Sequence, residues 1–108
     1  MITYTTNVHG LRQKDMDYMI RLFAGIPAIE KVLLFGSRAT GNFERGSDVD
    51  LAIVGEKVST REISRIHFLL EEESPTLLGL DVVHYDKLKN EALKREIEQN
   101  SIVIYQIN

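Results

Sequence analysis

Two aspartates separated by one residue, Asp48 and Asp50, open an apolar stretch, and ten residues lie between Ser37 and the first of them. Residues two apart in a strand point to the same face, so a strand here would present the two carboxylates side by side. Such close like charges repel each other unless a cation lies between them. Carboxylate oxygens suit Mg²⁺ or Mn²⁺, and Mg²⁺ usually completes its shell with water and phosphate oxygens. The pair therefore predicts a metal–phosphate site.

The turn at Gly36 and Ser37 could supply the phosphate half of that site. Glycine lets the backbone come close to a ligand, and the Ser37 hydroxyl is a hydrogen-bond donor. If "SRAT" opens a short helical turn, its first N–H groups point at an anion. Arg38 lies beside the turn, where it is equally suited to touching phosphate and to pairing with a local carboxylate.

A third acid, Asp81, is the only charge in the apolar run "LLGLDVV". An unpaired carboxylate buried there would be costly, so it either reaches solvent at the strand end or joins a charged site. If its strand lies beside that of Asp50, it can reach the same metal. Three carboxylates holding two ions match the two-metal arrangement for in-line attack on a phosphate. The alternative is that Asp48 and Asp50 are turn and strand-edge residues without a ligand.

The elements that must position these residues alternate between helix and strand, which predicts a single α/β domain over residues 1–108. We expect a small mixed sheet of three to four strands flanked by about four helices, and a loosely held arm at residues 1–10. Ser59 and Glu62 form a capping-box signature, and Asp86 is the expected cap of the last helix. The expected helices cover residues 11–24, 60–72 and 87–99 besides the short turn at "SRAT", and the expected strands cover 31–35, 48–54, 80–85 and 101–105.

Composition narrows the class of protein. The chain has 108 residues, no cysteine and a net charge of −3, which excludes disulfides and thiol catalysis and argues against a dedicated nucleic-acid binder. The start "MITYTTNVHG" lacks the layout of a signal peptide, and no apolar stretch approaches the length of a membrane span. We expect a cytoplasmic protein that does not contact the membrane.

The segments "FGSRATG" and "GSDVDLAIVG" resemble the signature of nucleotidyltransferases related to DNA polymerase beta, and are most similar to the minimal nucleotidyltransferase (MNT) branch. The resemblance covers nearly the whole chain and implies the nucleotidyltransferase fold. It implies that Gly36 and Ser37 bind the triphosphate of an incoming nucleotide, with Arg38 beside them. It also implies that Asp48, Asp50 and Asp81 are the catalytic carboxylates that hold two Mg²⁺ ions, or Mn²⁺ in their place.

Many MNT proteins are antitoxins of helical HEPN ribonuclease toxins, and several move AMP from ATP to a tyrosine of the toxin. The resemblance thus implies transfer of AMP, or another nucleoside monophosphate, to a hydroxyl of a HEPN-like partner in a hetero-oligomer. Little chain follows the last predicted strand, so we expect the acceptor to come from another chain. We expect that partner to bind an apolar helix face such as that of residues 11–24.

The alternative function is a non-catalytic module that neutralises or scaffolds a helical partner by contact. The three acids favour the enzyme, because a pure binding module gains nothing from clustered carboxylates. Labelled ATP, Mg²⁺ and the partner protein would distinguish the two functions.

Overall fold

The computed structural model describes residues 10–41, 44, 47–73 and 79–107, together with the backbone of residues 2 and 3. Within these residues, five strands and four α-helices alternate, with one 3₁₀ turn, Tyr85–Lys87, before the last helix. The strands are β1 (Ile2–Thr3), β2 (Lys31–Phe35), β3 (Val49–Val54), β4 (Leu80–His84) and β5 (Ile102–Ile107). The helices are α1 (Gln13–Ala24), α2 (Ser37–Thr40), α3 (Thr60–Glu72) and α4 (Glu91–Asn100).

The strands form one mixed sheet in the order β1-β5-β2-β3-β4. Strands β3 and β4 pair in parallel, with α3 as the crossover between them, whereas the other neighbours pair antiparallel. The α/β class and the four predicted strands are confirmed. The short β1 is an addition within the segment expected to be a loose arm, and residues 4–9 of that segment lie outside the described residues.

Helices cover both faces of the sheet, and the alternation of side chains along β3 assigns its residues to the two layers. Val49, Leu51 and Ile53 belong to the main core, which α1 and α3 complete. Ala52 belongs to a smaller core with Ile97 of α4 on the opposite face. Asp50 precedes Ala52 by two residues and so shares the α4 face, opposite to Val49, Leu51 and Ile53.

The apolar face of α1 is part of the main core. Met16, Met19 and Phe23 are all buried against the sheet, and Phe23 packs at 5.6 Å, centroid to centroid, against the ring of Tyr105. The expectation that this face binds a partner is therefore wrong, because the apolar side chains of α1 are already buried against the sheet of the same chain.

The predicted start of the last helix is also wrong. Helix α4 begins at Glu91, and its cap is Asn90, whose side chain accepts a hydrogen bond from the Leu93 amide at 3.1 Å. Asp86 instead accepts one from the Gly55 amide at 2.8 Å, which ties it to the end of β3. The 3₁₀ turn and the extended residue Leu88 separate β4 from α4, so the helix cannot start at Lys87.

The remaining boundaries agree closely with the sequence. The Ser59–Glu62 capping box is confirmed, since each backbone amide donates to the other residue's side chain at 2.9 and 3.0 Å. Strand β3 begins at Val49, so Asp48 lies just before it, and β5 extends to Ile107. Across the described ranges, none of the helices combines the length and apolar character needed to cross a bilayer.

Candidate active site

The turn after β2 brings a glycine against a carboxylate. Gly36 has φ 76° and ψ −157°, a backbone conformation that only glycine adopts readily. A Cβ placed on Gly36 would collide with Oδ2 of Asp50. The turn therefore needs glycine both for its backbone conformation and for the space that Asp50 occupies. It lies directly beside the Asp50 carboxylate, which the sequence predicted to be a metal ligand.

Ser37 begins helix α2 immediately after that glycine, as predicted for "SRAT". The first amides of a helical turn have no acceptor within the turn, and the carbonyl of Gly36 accepts from the amides of Ala39 and Thr40. The Ser37 hydroxyl and the turn backbone thus lie at the same end of the sheet as Asp50.

The register of the sheet joins Asp50 to Asp81. Asp50 on β3 is the direct partner of Asp81 on β4, and of Phe35 on β2. Paired residues on neighbouring strands point to the same face, with backbones about 4.8 Å apart. The condition set by the sequence, that the strand of Asp81 lie beside that of Asp50, is confirmed.

Asp48 completes the group from the loop before β3. A Cβ on Gly79 would lie 2.5 Å from Oδ1 of Asp48, so this carboxylate occupies the space above the glycine. The amide of Val49 donates to the Gly79 carbonyl at 2.8 Å, which continues the pairing of β3 with β4 back to the level of Asp48.

The three acids influence one another electrostatically. Burial raises the pKa of Asp50 above its ordinary value, and the negative charges of Asp81 and then Asp48 raise it further. Asp50 is half-buried, whereas Asp48 and Asp81 are exposed. Each added proton or cation would relieve this repulsion.

Arg38 turns away from solvent. Its side chain is only 1% exposed, and its Nε and Nη2 atoms donate to the carbonyl oxygen of Ser47 at 3.1 and 2.9 Å. Burial lowers the pKa of the guanidinium. The sequence left two roles open for Arg38, contact with phosphate and pairing with a local carboxylate. The structure adds a third, hydrogen bonding to the Ser47 carbonyl next to Asp48.

The carboxylate oxygens of the three aspartates are ligands that suit a hard divalent cation such as Mg²⁺. Within the described ranges, no three acidic or histidine side chains already converge tightly enough to enclose an ion. Mg²⁺ takes only one or two protein carboxylates in most phosphate-binding sites and obtains its other oxygens from phosphate and water. The carboxylates of Asp48, Asp50 and Asp81 at an open sheet end fit that mode of binding.

A protein-family model described as "Polymerase beta, Nucleotidyltransferase" matches residues 18–108, which include the turn and all three acids. The chain belongs to this nucleotidyltransferase family. No curated protein sequence matches it.

Solved structures with a similar fold include chains of toxin–antitoxin complexes. One, crystallised with AMP-PNP, contains a chain with a TM-score of 0.69 and 19% identity, covering 91% of this nucleotidyltransferase and 76% of that chain. An MntA–HepT complex matches with a TM-score of 0.65 and 17% identity over 89% of this chain and 74% of that one. A third structure contains a tri-AMPylated Shewanella oneidensis HEPN toxin in complex with an MNT antitoxin. Its matching chain has a TM-score of 0.64 and 18% identity, over 88% of this chain and 72% of that one.

Sequence reasoning missed two residues of this candidate site. Gly79 reads as part of a turn, and Ser47 as a loop residue, yet they contact Asp48 and Arg38 respectively. A glycine two residues before Asp81, at the start of a strand predicted to lie beside Asp48, was the available signal for Gly79. No local pattern marks the Ser47 carbonyl.

Proposed function

We propose that this protein transfers a nucleoside monophosphate, most simply AMP from ATP, to a hydroxyl group of a partner protein. The observation that carries the proposal is the contact between the Gly36 turn and Asp50, which itself pairs in register with Asp81. A phosphate-binding turn and a carboxylate cluster at one sheet end are the two parts that nucleotidyl transfer requires.

The phosphate side consists of Gly36 and Ser37. Because Gly36 has no side chain, a triphosphate can approach the backbone beside Asp50, and the Ser37 hydroxyl donates to a phosphate oxygen. These contacts hold the nucleotide so that its α-phosphate faces the carboxylates. Arg38 is buried beside them and donates to the Ser47 carbonyl, next to Asp48.

The carboxylates of Asp48, Asp50 and Asp81 would hold the Mg²⁺ ions. Bound there, the ions would neutralise charge on the triphosphate and on the leaving pyrophosphate. The repulsion that raises the pKa of Asp50 is a cost of the metal-free protein, and it makes cation binding more favourable.

In the transfer itself, the acceptor oxygen bonds to the α-phosphorus as the bond from that phosphorus to the β-phosphate oxygen breaks. Pyrophosphate leaves with the electron pair of the broken bond. The proton of the attacking hydroxyl passes to a carboxylate of the cluster, and the exposed Asp81 is the one at the open edge strand that an acceptor can reach.

The proposed acceptor is a helical HEPN-type toxin, with this chain as its antitoxin. Support comes from the fold shared with chains of toxin–antitoxin complexes, one of which contains an AMPylated HEPN toxin and an MNT antitoxin. We propose that the two proteins form a hetero-oligomer.

The test is to incubate the protein with Mg²⁺, the HEPN-type partner and ATP labelled on either the α- or the γ-phosphate. We expect the partner to acquire label from α-labelled ATP only. Label from γ-labelled ATP would indicate phosphoryl transfer, and absence of label from both, with a stable complex, would favour the contact-only antitoxin.

A further inference from the structure

Asp48 lies outside the strand that follows it, so something other than β3 must hold its carboxylate in place. Asp50 and Asp81 are held by their strands, whereas Asp48 is exposed and comes directly after a loop. A metal ligand displaced by even 1 Å binds its ion less well. The contacts that fix Asp48 are therefore part of how the site works.

The first contact comes from Arg38. Two guanidinium N–H groups donate to the one carbonyl oxygen of Ser47, the residue immediately before Asp48. A buried charge is costly unless it is well bonded, and hydrogen bonds from a charged donor are stronger than neutral ones. Since Arg38 also follows Ser37 in α2, it connects the phosphate turn to the loop that carries Asp48.

The same loop is bonded within itself at Ser47. The Ser47 amide donates to the Glu44 carbonyl at 3.0 Å, and the Glu44 amide donates to the Ser47 hydroxyl at 2.8 Å. The Ser47 peptide that Arg38 contacts is thus also held by two hydrogen bonds to Glu44, so fixing its carbonyl helps to fix the direction in which the chain enters β3.

The second contact to the region of Asp48 comes from Gly79, just before β4. The missing side chain of Gly79 leaves room for the Asp48 carboxylate, and its carbonyl accepts from the Val49 amide. Gly79 does not have a positive φ, unlike Gly36, so its backbone conformation does not itself require glycine. Space for Asp48 is the physical reason for a glycine here.

We propose that Arg38 and Gly79 are positioning residues that together set the location of the Asp48 carboxylate and hence the affinity of the site for divalent cation. The proposal rests on the proposed function. It gives Arg38 a role that does not involve phosphate contact, and it adds Gly79, which lies outside the recognised motif.

Gly79→Ala is the sharpest test, because the three atoms nearest to the new Cβ all belong to the end of the Asp48 side chain. The carboxylate can rotate away at little cost, so the melting temperature should stay near that of the parent while cation binding weakens. Loss of a group that orients a metal ligand typically weakens metal binding by about 10- to 100-fold. Gly25→Ala is the matched control, since its Cβ would make an ordinary 3.5 Å contact at the end of α1.

Arg38→Met removes the donors and keeps a long side chain, and Arg38→Lys keeps one charged donor. We expect Arg38→Lys to recover part of the cation affinity that Arg38→Met loses. Because a buried arginine also supports packing, melting curves accompany both variants. A variant that melts far below the parent is compared only below its transition.

The measurement is Mn²⁺ binding, followed by the EPR signal of free Mn²⁺, with a non-hydrolysable ATP analogue present. The effect of Gly79→Ala should vanish in an Asp48→Ala background, because it acts through that carboxylate. Unchanged Mn²⁺ affinity in Gly79→Ala and Arg38→Met, with normal binding by the parent, would overturn the positioning proposal alone. A parent that binds no Mn²⁺ would overturn both this proposal and the proposed metal-dependent function.

Discussion

Replacing Asp50 with asparagine should stabilise the metal-free protein. The substitution removes one of three neighbouring negative charges at nearly constant volume. Asp50 and Asp81 are register partners, so their carboxylates can lie about 5 Å apart, and at an effective dielectric near 20 their repulsion is about 3 kcal/mol. Because Asp81 is exposed, water and salt reduce this to ~1 kcal/mol. For a domain of this size that corresponds to a rise in Tm of roughly 4 °C.

The stabilisation should depend on pH in a defined direction. Burial, Asp81 and Asp48 all raise the pKa of Asp50 in the folded protein. A raised carboxylate pKa means that the folded parent keeps its full stability below the unfolded pKa and loses stability as pH rises through the folded pKa. The Tm difference between Asp50→Asn and the parent should therefore grow from the low end of the carboxylate range toward neutral pH.

The assay is a set of melting curves for both proteins in EDTA and in Mg-ATP. In Mg-ATP the order should reverse, because ligand at about 100 times its Kd adds about 2.7 kcal/mol to the parent and little to a variant with weakened binding. Asp17→Asn on the exposed face of α1 is the control for the chemical change alone. The reasoning is refuted if Asp50→Asn melts below the parent in EDTA and both respond equally to Mg-ATP.

Three further predictions concern single positions. Gly36→Ala should abolish transfer and lower Tm more than Gly41→Ala does. Both glycines have a positive φ, but a Cβ meets Asp50 only at Gly36, so an equal loss of Tm in the two variants would contradict this. Asn90→Ala should lower the free energy of unfolding by about 1 kcal/mol, measured by urea denaturation, without affecting transfer, since it removes only a helix cap. Asp81→Asn should lower the rate of transfer by orders of magnitude at saturating ATP while the fold survives by circular dichroism; an unchanged rate would make Asp81 a solvated strand-end acid.

The sequence predicted the sheet well because its signals there are local. Alternation along Val49–Val54 and the Ser59–Glu62 pair depend only on neighbouring residues, and the structure confirms both. The pairing of Asp50 with Asp81 follows from the strand–helix–strand order, because a crossover of this length commonly joins parallel neighbours.

The sequence is least informative where a distant contact decides what a residue does. Asp86 and Asn90 are both good helix caps, and the choice depends on the Gly55 amide, which binds Asp86. Arg38 follows the Gly36–Ser37 turn in sequence, yet it also donates to a carbonyl nine residues away. Gly79 meets Asp48 only after the strands have paired. Such contacts have no local pattern.

The most direct test of the central claim is the intact mass of the partner protein after co-expression. With the parent, the partner should gain mass corresponding to one or more nucleoside monophosphates. With the Asp48→Asn/Asp50→Asn double variant, folded to the same extent by circular dichroism, the partner should keep its unmodified mass. Equal modification by the parent and the double variant, or an unmodified partner with both, would contradict the account.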